Sequence, residues 1–266
     1  MTPEADGGGG QLAESNDEWW DETWEKLQLA FKTRFGETEP AEKVFPFHGA
    51  LSLAFPGLCV LPYGPTEQRP TWLYSTMGVS PPPKQGATGI GSEFSVETKE
   101  SAEWPLQILG WTVNGLISGD RVSAGSYVSC TIAKRQDGSF VLSGPDPERN
   151  KKAGLTPQGT VAGMLVFPSL AAKGPLETRF GPVAILALTF VPKGDLKLAE
   201  ETSTSHVVLL ARELGLGQRS DIARTDLISM PEASARWSRI SKLNQQEVLS
   251  ELGIEGEYPY ALLTHK

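Results

Sequence analysis

Three histidines, His48, His206 and His265, are the most versatile reactive side chains in this 266-residue sequence, and they stand far apart. A zinc site asks for two of them four residues apart on a helix, or beside paired cysteines; neither spacing occurs. The two cysteines, Cys59 and Cys130, lie in the apolar stretches 58–60 and 127–130. That setting suits small buried core residues rather than ligands or a disulfide framework. A nucleophile elbow of the form Gly-x-Ser-x-Gly is absent, and Ser75 and Ser118 have no histidine near them in sequence, so a serine site would have to be assembled by the fold. No Gly-x-x-x-x-Gly-Lys loop is present, and the glycine-rich run 86–91 precedes a strand, whereas a phosphate cradle needs the free amides of a helix N-terminus. His206 opens the apolar face of a helix and reads as a structural histidine with its hydrogen bonds satisfied. No catalytic, cofactor-binding or metal-ligating residue is expected.

Carboxylates remain. Asp17, Glu18, Asp21 and Glu22 fall in the first turns of a helix, where negative charge complements the helix dipole. Glu93 and Glu97 share the polar side of a segment, 90–98, in which apolar and polar residues alternate, and Glu100 and Glu103 continue the acidic run toward Trp104. Such a strip either meets a protein partner or is the solvated face of a sheet. Trp19, Trp20 and Trp24 pose a similar choice: Trp20, Trp24, Leu27 and Phe31 form the buried stripe of an amphipathic helix, while Trp19 stands one residue off it as a candidate exposed anchor.

The formal net charge is −8, the wrong sign for a non-specific nucleic-acid binder, and Lys151-Lys152 is the densest basic stretch. An acidic surface either steers a basic protein partner or simply maintains solubility. The segment 1–10 has neither a basic start nor an apolar run, and nothing approaches the roughly 20 apolar residues of a membrane helix, so a cytoplasmic protein without membrane contact is expected.

The elements that must position these residues follow from punctuation and periodicity. Residues 1–14, with four consecutive glycines, are expected to form a disordered tail. Ser15 and Glu18 make a capping box for a helix running to about Phe35, ended by Gly36. Strands are expected over 58–63, 71–79, 90–98, 127–133 with a hairpin turn at Asp137-Gly138, and 161–167. Segment 182–191 is apolar almost throughout, as for a strand covered on both faces. Helices are expected from Trp104-Pro105, with Leu109, Val113, Leu116 and Ile117 on one face, and over 204–214 and 244–252. Leu227, Ile228 and Met230 read as a short strand or turn, and Tyr258-Pro259-Tyr260 as an aromatic tail. The class is α+β, a mixed and mainly antiparallel sheet with helices covering one side.

Several of these pieces, in order, resemble one family. Trp72 to Ser80 is similar to an aromatic-rich strand running into Gly-hydrophobic-Ser. Gly89 to Val96 resembles a Gly-x-Gly-x-Glu-hydrophobic strand, and Trp104 to Leu109 followed by Ser118-Gly119-Asp120 resembles a Trp-Pro helix and its Gly-Asp turn. With Thr178 to Val183 and Asp226 to Ile228, the set resembles the Suppressor of Fused domain over about 45–237. The resemblance implies a domain of 15–237 including the N-terminal helix, with 238–266 as a helical extension packed on it. It implies a non-enzymatic protein-binding role with no cofactor. Animal members sequester a zinc-finger transcription factor, gripping an extended peptide between two domains. Bacterial members are single domains, many regarded as immunity proteins of polymorphic toxin systems, which would make the partner here a basic toxin or effector. Against the animal pattern, the second, C-terminal domain is expected to be missing, and the helix after Trp104 is shorter, which removes the position of a groove tyrosine. Asp120 matches the family's turn acid: it either accepts a hydrogen bond from a partner strand or only stabilises its turn. Asp120, Glu93, Glu97 and Trp19 are the candidate protein-binding residues. Two other readings stay open: a hydrolase whose serine, histidine and acid meet in space, and a docking module of a larger assembly that uses the 19–35 helix.

Overall fold

The computed structural model describes residues 21–22, 24–33, 39–44, 58–80, 91–118, 120–172, 174–178 and 181–254. The expected tail 1–14, the capping box of the first helix, Trp19, Trp20, Gly36, His48, His265, most of the glycine-rich run 86–91 and the aromatic tail lie outside them.

The sequence folds around one eight-stranded sheet. Six strands form its path, in the order β1 (Cys59–Tyr63), β2 (Trp72–Met77), β3 (Ser92–Thr98), β10 (Gly181–Pro192), β8 (Val161–Pro168) and β4 (Tyr127–Ser129). Short β11 (Arg219–Ser220) joins β3, and β9 (Leu176–Thr178) joins β10. Most pairings are antiparallel, while β10 and β11 run parallel to β3, so the sheet is mixed. A second, three-stranded sheet places β5 (Thr131–Lys134) between β6 (Phe140–Ser143) and β7 (Thr156–Pro157). Its β5–β6 hairpin turns at Asp137-Gly138 as expected, with Gly138 donating its N–H to the Arg135 carbonyl.

The side chains of β10 alternate between cores. Ala184, Leu186, Leu188 and Phe190 enter a core with Trp104, Ile108, Leu109 and Val113 of α2 (Trp104–Ile117). Val183 and Ile185 enter a second with Leu27 and Phe31 of α1 (24–33). Val191 joins a third, built from α4 (Lys193–Glu201), α5 (Thr204–Glu213), α6 (Ala233–Ile240) and α7 (Gln245–Leu252), while the short α3 (Pro147–Lys152) lies between β6 and β7 in the chain. Helices therefore cover both faces of the sheet. The expectation of a single covered face is corrected, and the physical reason lies in β10 itself, where both parities are apolar and both must leave water.

One expectation shifts locally: the run 127–133 splits at Cys130 into β4 and β5, which serve different sheets. Segment 227–230 takes the turn of its two expected forms, a 3-10 helix over Leu227–Ser229. Helix α4, which directly follows β10, has no side-chain cap of its own; Asp226, from a distant loop, accepts the Gly194 N–H at 2.8 Å. Helix α6 spans residue 237, and α6 and α7 bury Ile240, Val248 and Leu252 against α5. Helix α7 begins with a full capping box between Asn244 and Glu247.

Both cysteines are buried, and burial pushes each thiol up to about 12. A raised thiol pKa removes the nucleophilic thiolate at ordinary pH. Native protein at pH 8 is expected to resist a maleimide or disulfide reagent for hours and to react at both positions once unfolded in guanidinium, as intact mass would record.

Candidate functional site

Helix α2 ends against the three-residue edge strand β4, and a cleft of about 610 Å3 opens between them. The rise of α2 places Leu109 and Val113 inward, so Trp111, two residues from Leu109, is turned to the opposite side and is 38% exposed. Val128 of β4 is 37% exposed, and Met164 of β8 and Leu142 of β6 complete the apolar lining. The Arg135 guanidinium lies 5.3 Å from the Trp111 ring, a cation–π contact that fixes one wall.

Asp120 sits at the polar end of this cleft. Its backbone N–H donates to the Gly115 carbonyl at 2.9 Å and closes the turn after α2. Its carboxylate lies over Gly115 so closely that a Cβ there would be 2.6 Å from Oδ2 and would push the carboxylate aside. The turn is thus held by the main chain, and among the described residues the exposed carboxylate accepts no hydrogen bond.

Strand β4 adds main-chain groups. Val166 N donates to Ser126 O and Cys130 N to Ala162 O, with Val128 opposite Met164. That alternation turns the N–H and C=O of Tyr127 and Ser129 away from β8. Among the described residues no strand pairs with that side.

The acidic strip does not exist as a surface. Glu93 is fully buried: Thr76 Oγ1 donates to its Oε2 at 2.6 Å, and its Oε1 accepts from the N–H groups of Gly78 and Val79 at 3.0 Å each, from Ser80 N at 3.2 Å and from Ser80 Oγ at 2.9 Å. Burial raises its pKa, and the donors from Thr76, Ser80 and Gly78 pull it back. Glu97 is half-buried and takes a hydrogen bond from the Thr71 hydroxyl; burial raises its pKa, opposed by Thr71, Arg69 and Arg219. Alternation in 90–98 pointed to a wet face. The physical correction is that turn 78–80 supplies the donors water would have given, so Glu93 belongs to the core. Glu100 and Glu103 are exposed.

His206 does meet a serine. Its Nδ1 is 2.7 Å from Ser203 Oγ, which is also 2.8 Å from Ser205 Oγ, and its Nε2 is 3.0 Å from the Leu243 carbonyl oxygen. Ser203 is the N-cap of α5, and the contact ties that helix end to the α6–α7 connection. Both ring nitrogens are thereby occupied, and neither of the two residues lines the clefts described here. Ser75 is buried and donates to the Thr76 carbonyl, and Ser118 donates to Asn114 O. Among the described residues no three His, Cys, Asp or Glu side chains are placed to hold a metal ion, and no helix is long and apolar enough to cross a membrane.

Solved structures resemble the whole architecture. A SUFU (suppressor of fused protein) homologue from Neisseria gonorrhoeae superposes with a TM-score of 0.53 at 13% identity, covering 80% of this chain and 99% of that one. The chain has the Suppressor of Fused fold. A second structure, of the Sufu–Fu complex, gives a TM-score of 0.54 at 13% identity over 90% of this chain and 97% of that one. No family model matches the sequence, and no curated protein matches it either. The resemblance had singled out Asp120 as a candidate binding residue in a turn, and the structure puts that turn at the cleft; Trp111 and Val128 were passed over. The available signal was Trp111 itself, an aromatic residue off the Leu109–Val113 face.

Glu93→Ala would leave five buried donors unanswered and is expected to cost about 3–5 kcal/mol. Glu93→Gln, which keeps an acceptor for the three amides, should cost distinctly less. Urea midpoints of the two variants check the order.

Proposed function

We propose that this chain is a non-enzymatic protein-binding domain of the Suppressor of Fused type that takes an extended segment of its partner along β4. The observation that carries the reading is the open side of β4 beside a free carboxylate: outward main-chain groups at Tyr127 and Ser129, with Asp120 at one end of an apolar cleft. An added strand would gain main-chain hydrogen bonds from the edge and specificity from side chains entering the cleft. Trp111 and Val128 supply apolar contact area, and Asp120 accepts from a donor on the partner.

The fold supports the class of function, since a solved structure of this fold is of a Sufu–Fu complex. The finer reading assigns a toxin or effector of basic character as the partner, neutralised by direct binding in the cytoplasm as a bacterial immunity protein would do. The net charge of −8 favours that sign of partner and a fast, salt-sensitive encounter.

The test is co-purification with the product of the neighbouring gene at low and high salt. Capture at low salt, weakening as salt rises, is expected; no capture from that source at low salt removes the toxin reading. Ser129→Pro deletes one outward N–H without touching the β8 ladder, and Asp120→Ala deletes the acceptor. Each is expected to weaken the complex about tenfold with the melting temperature little changed. Unchanged affinity in both variants would exclude β4 as the docking edge.

A further inference from the structure

A second cleft, of about 790 Å3, lies on the other face of the sheet, between α1 and the segment 39–44. Both walls are fixed from below. Leu27 and Phe31 of α1 are buried, Phe31 meets the Tyr63 ring edge-to-face at 4.8 Å, and Gln28 donates to Tyr63 Oη at 3.2 Å. The opposite wall is stitched to β1 by Ala41 N to Pro62 O at 2.8 Å and by a reciprocal pair between Val44 and Val60. The cleft is therefore a preformed feature of two elements docked on one strand.

Its lining is unusual in what is left unused. Lys43 lies over the Trp24 ring at 4.4 Å, and Lys32 is also engaged. Glu25, Glu39 and Glu42 are exposed, and among the described residues none of them makes an ion pair. With three carboxylates against these two lysines, the formal charge of the lining is negative. Between these carboxylates Leu29 is 61% exposed, the most exposed large apolar side chain among the described residues.

We propose that this cleft docks an extended, basic segment of a protein partner, whose cations meet Glu25, Glu39 and Glu42 while an apolar side chain covers Leu29 beside Trp24. The surface is separate from β4 and does not depend on the reading given to that edge. Carboxylates on two facing walls suit a chain of spaced cations, whereas a metal ion needs them convergent, and no such convergence exists among the described residues. A nucleic acid would be repelled by the same charge.

The test uses the full chain and a fluorescein-labelled 12-residue peptide of alternating lysine and alanine with one central leucine. Anisotropy at low salt is expected to show saturable binding that fades as salt rises. Glu39→Lys with Glu42→Lys should weaken it about tenfold, and Leu29→Asn about threefold. Glu148→Lys with Glu200→Lys, a matched charge change elsewhere, and Ser129→Pro should leave it unchanged. Absence of binding overturns the proposal. So does an equal loss in the distant charge-reversed variant, which would mean attraction by net charge alone. Sedimentation showing that the wild type self-associates through this face, and that Glu39→Lys with Glu42→Lys abolishes it, would assign the cleft to a second copy and overturn the proposal too.

Discussion

Strand β10 sets the condition that the rest of the molecule meets. Residues 183–191 are buried without exception, and successive side chains enter opposite layers. Each large apolar side chain removed from water contributes about 1.5–3 kcal/mol, and a strand with both parities apolar gains this only if both faces are covered. Helix α2 and the small sheet close one face; α1 and the α4–α7 group close the other. The clefts follow from this layering, because each lies where a covering element meets a strand at or near one end of the sheet. Among the described residues, β4 keeps its outer side open at one end, and at the other the segment 39–44 bridges to β1 at Pro40 and Val44.

Polar groups drawn into this two-sided core are all tied to specific segments. Glu93 binds the turn 78–80 to β3, Glu97 reaches Thr71 across from β2, and Asp195 of α4 pairs with Arg224 at 2.5 Å and accepts the Leu227 N–H at 2.7 Å. Burial raises the pKa of all three acids. Each connects elements remote in sequence, and a mispaired register would strand a carboxylate away from its donors. Their contribution is therefore more to the choice among arrangements than to net stability, since a buried pair roughly offsets its own desolvation.

The fold was legible in sequence wherever one local rule acted alone. Pro105 in the first turn of α2, the Asp137-Gly138 hairpin and the unbroken apolar run of β10 needed no knowledge of neighbours. Errors fell where a distant group replaced water or a cap. Glu93 and Glu97 looked solvated because strand alternation records polarity, not burial, and the donors at 78–80 lie thirteen or more residues away. Helix α4 was missed because its N-terminal amide is satisfied by Asp226, thirty-two residues on. The split at Cys130 was hidden because β4 and β5 are continuous in pattern and differ only in which sheet they join. At the cleft, Asp120 could be picked out in sequence by resemblance, but its free carboxylate depends on the main chain closing the turn instead.

An open edge is a hazard as well as an opportunity, because unpaired strand groups accept almost any extended chain. Two features restrain β4. It is three residues long, so an added strand gains few main-chain bonds, and its chain turns away at Cys130 into the second sheet. Main-chain pairing alone is then too weak to hold a partner. On the function proposed, binding would draw on the side chains that line the cleft, above all Trp111, Val128 and the Asp120 carboxylate, and these would discriminate. A short edge beside a shaped, partly apolar cleft would thus convert a promiscuous interaction into a selective one. Gly115 fits the same arrangement: without a Cβ it lets the Asp120 carboxylate lie close to α2 at the cleft, and among the described residues that carboxylate accepts no hydrogen bond.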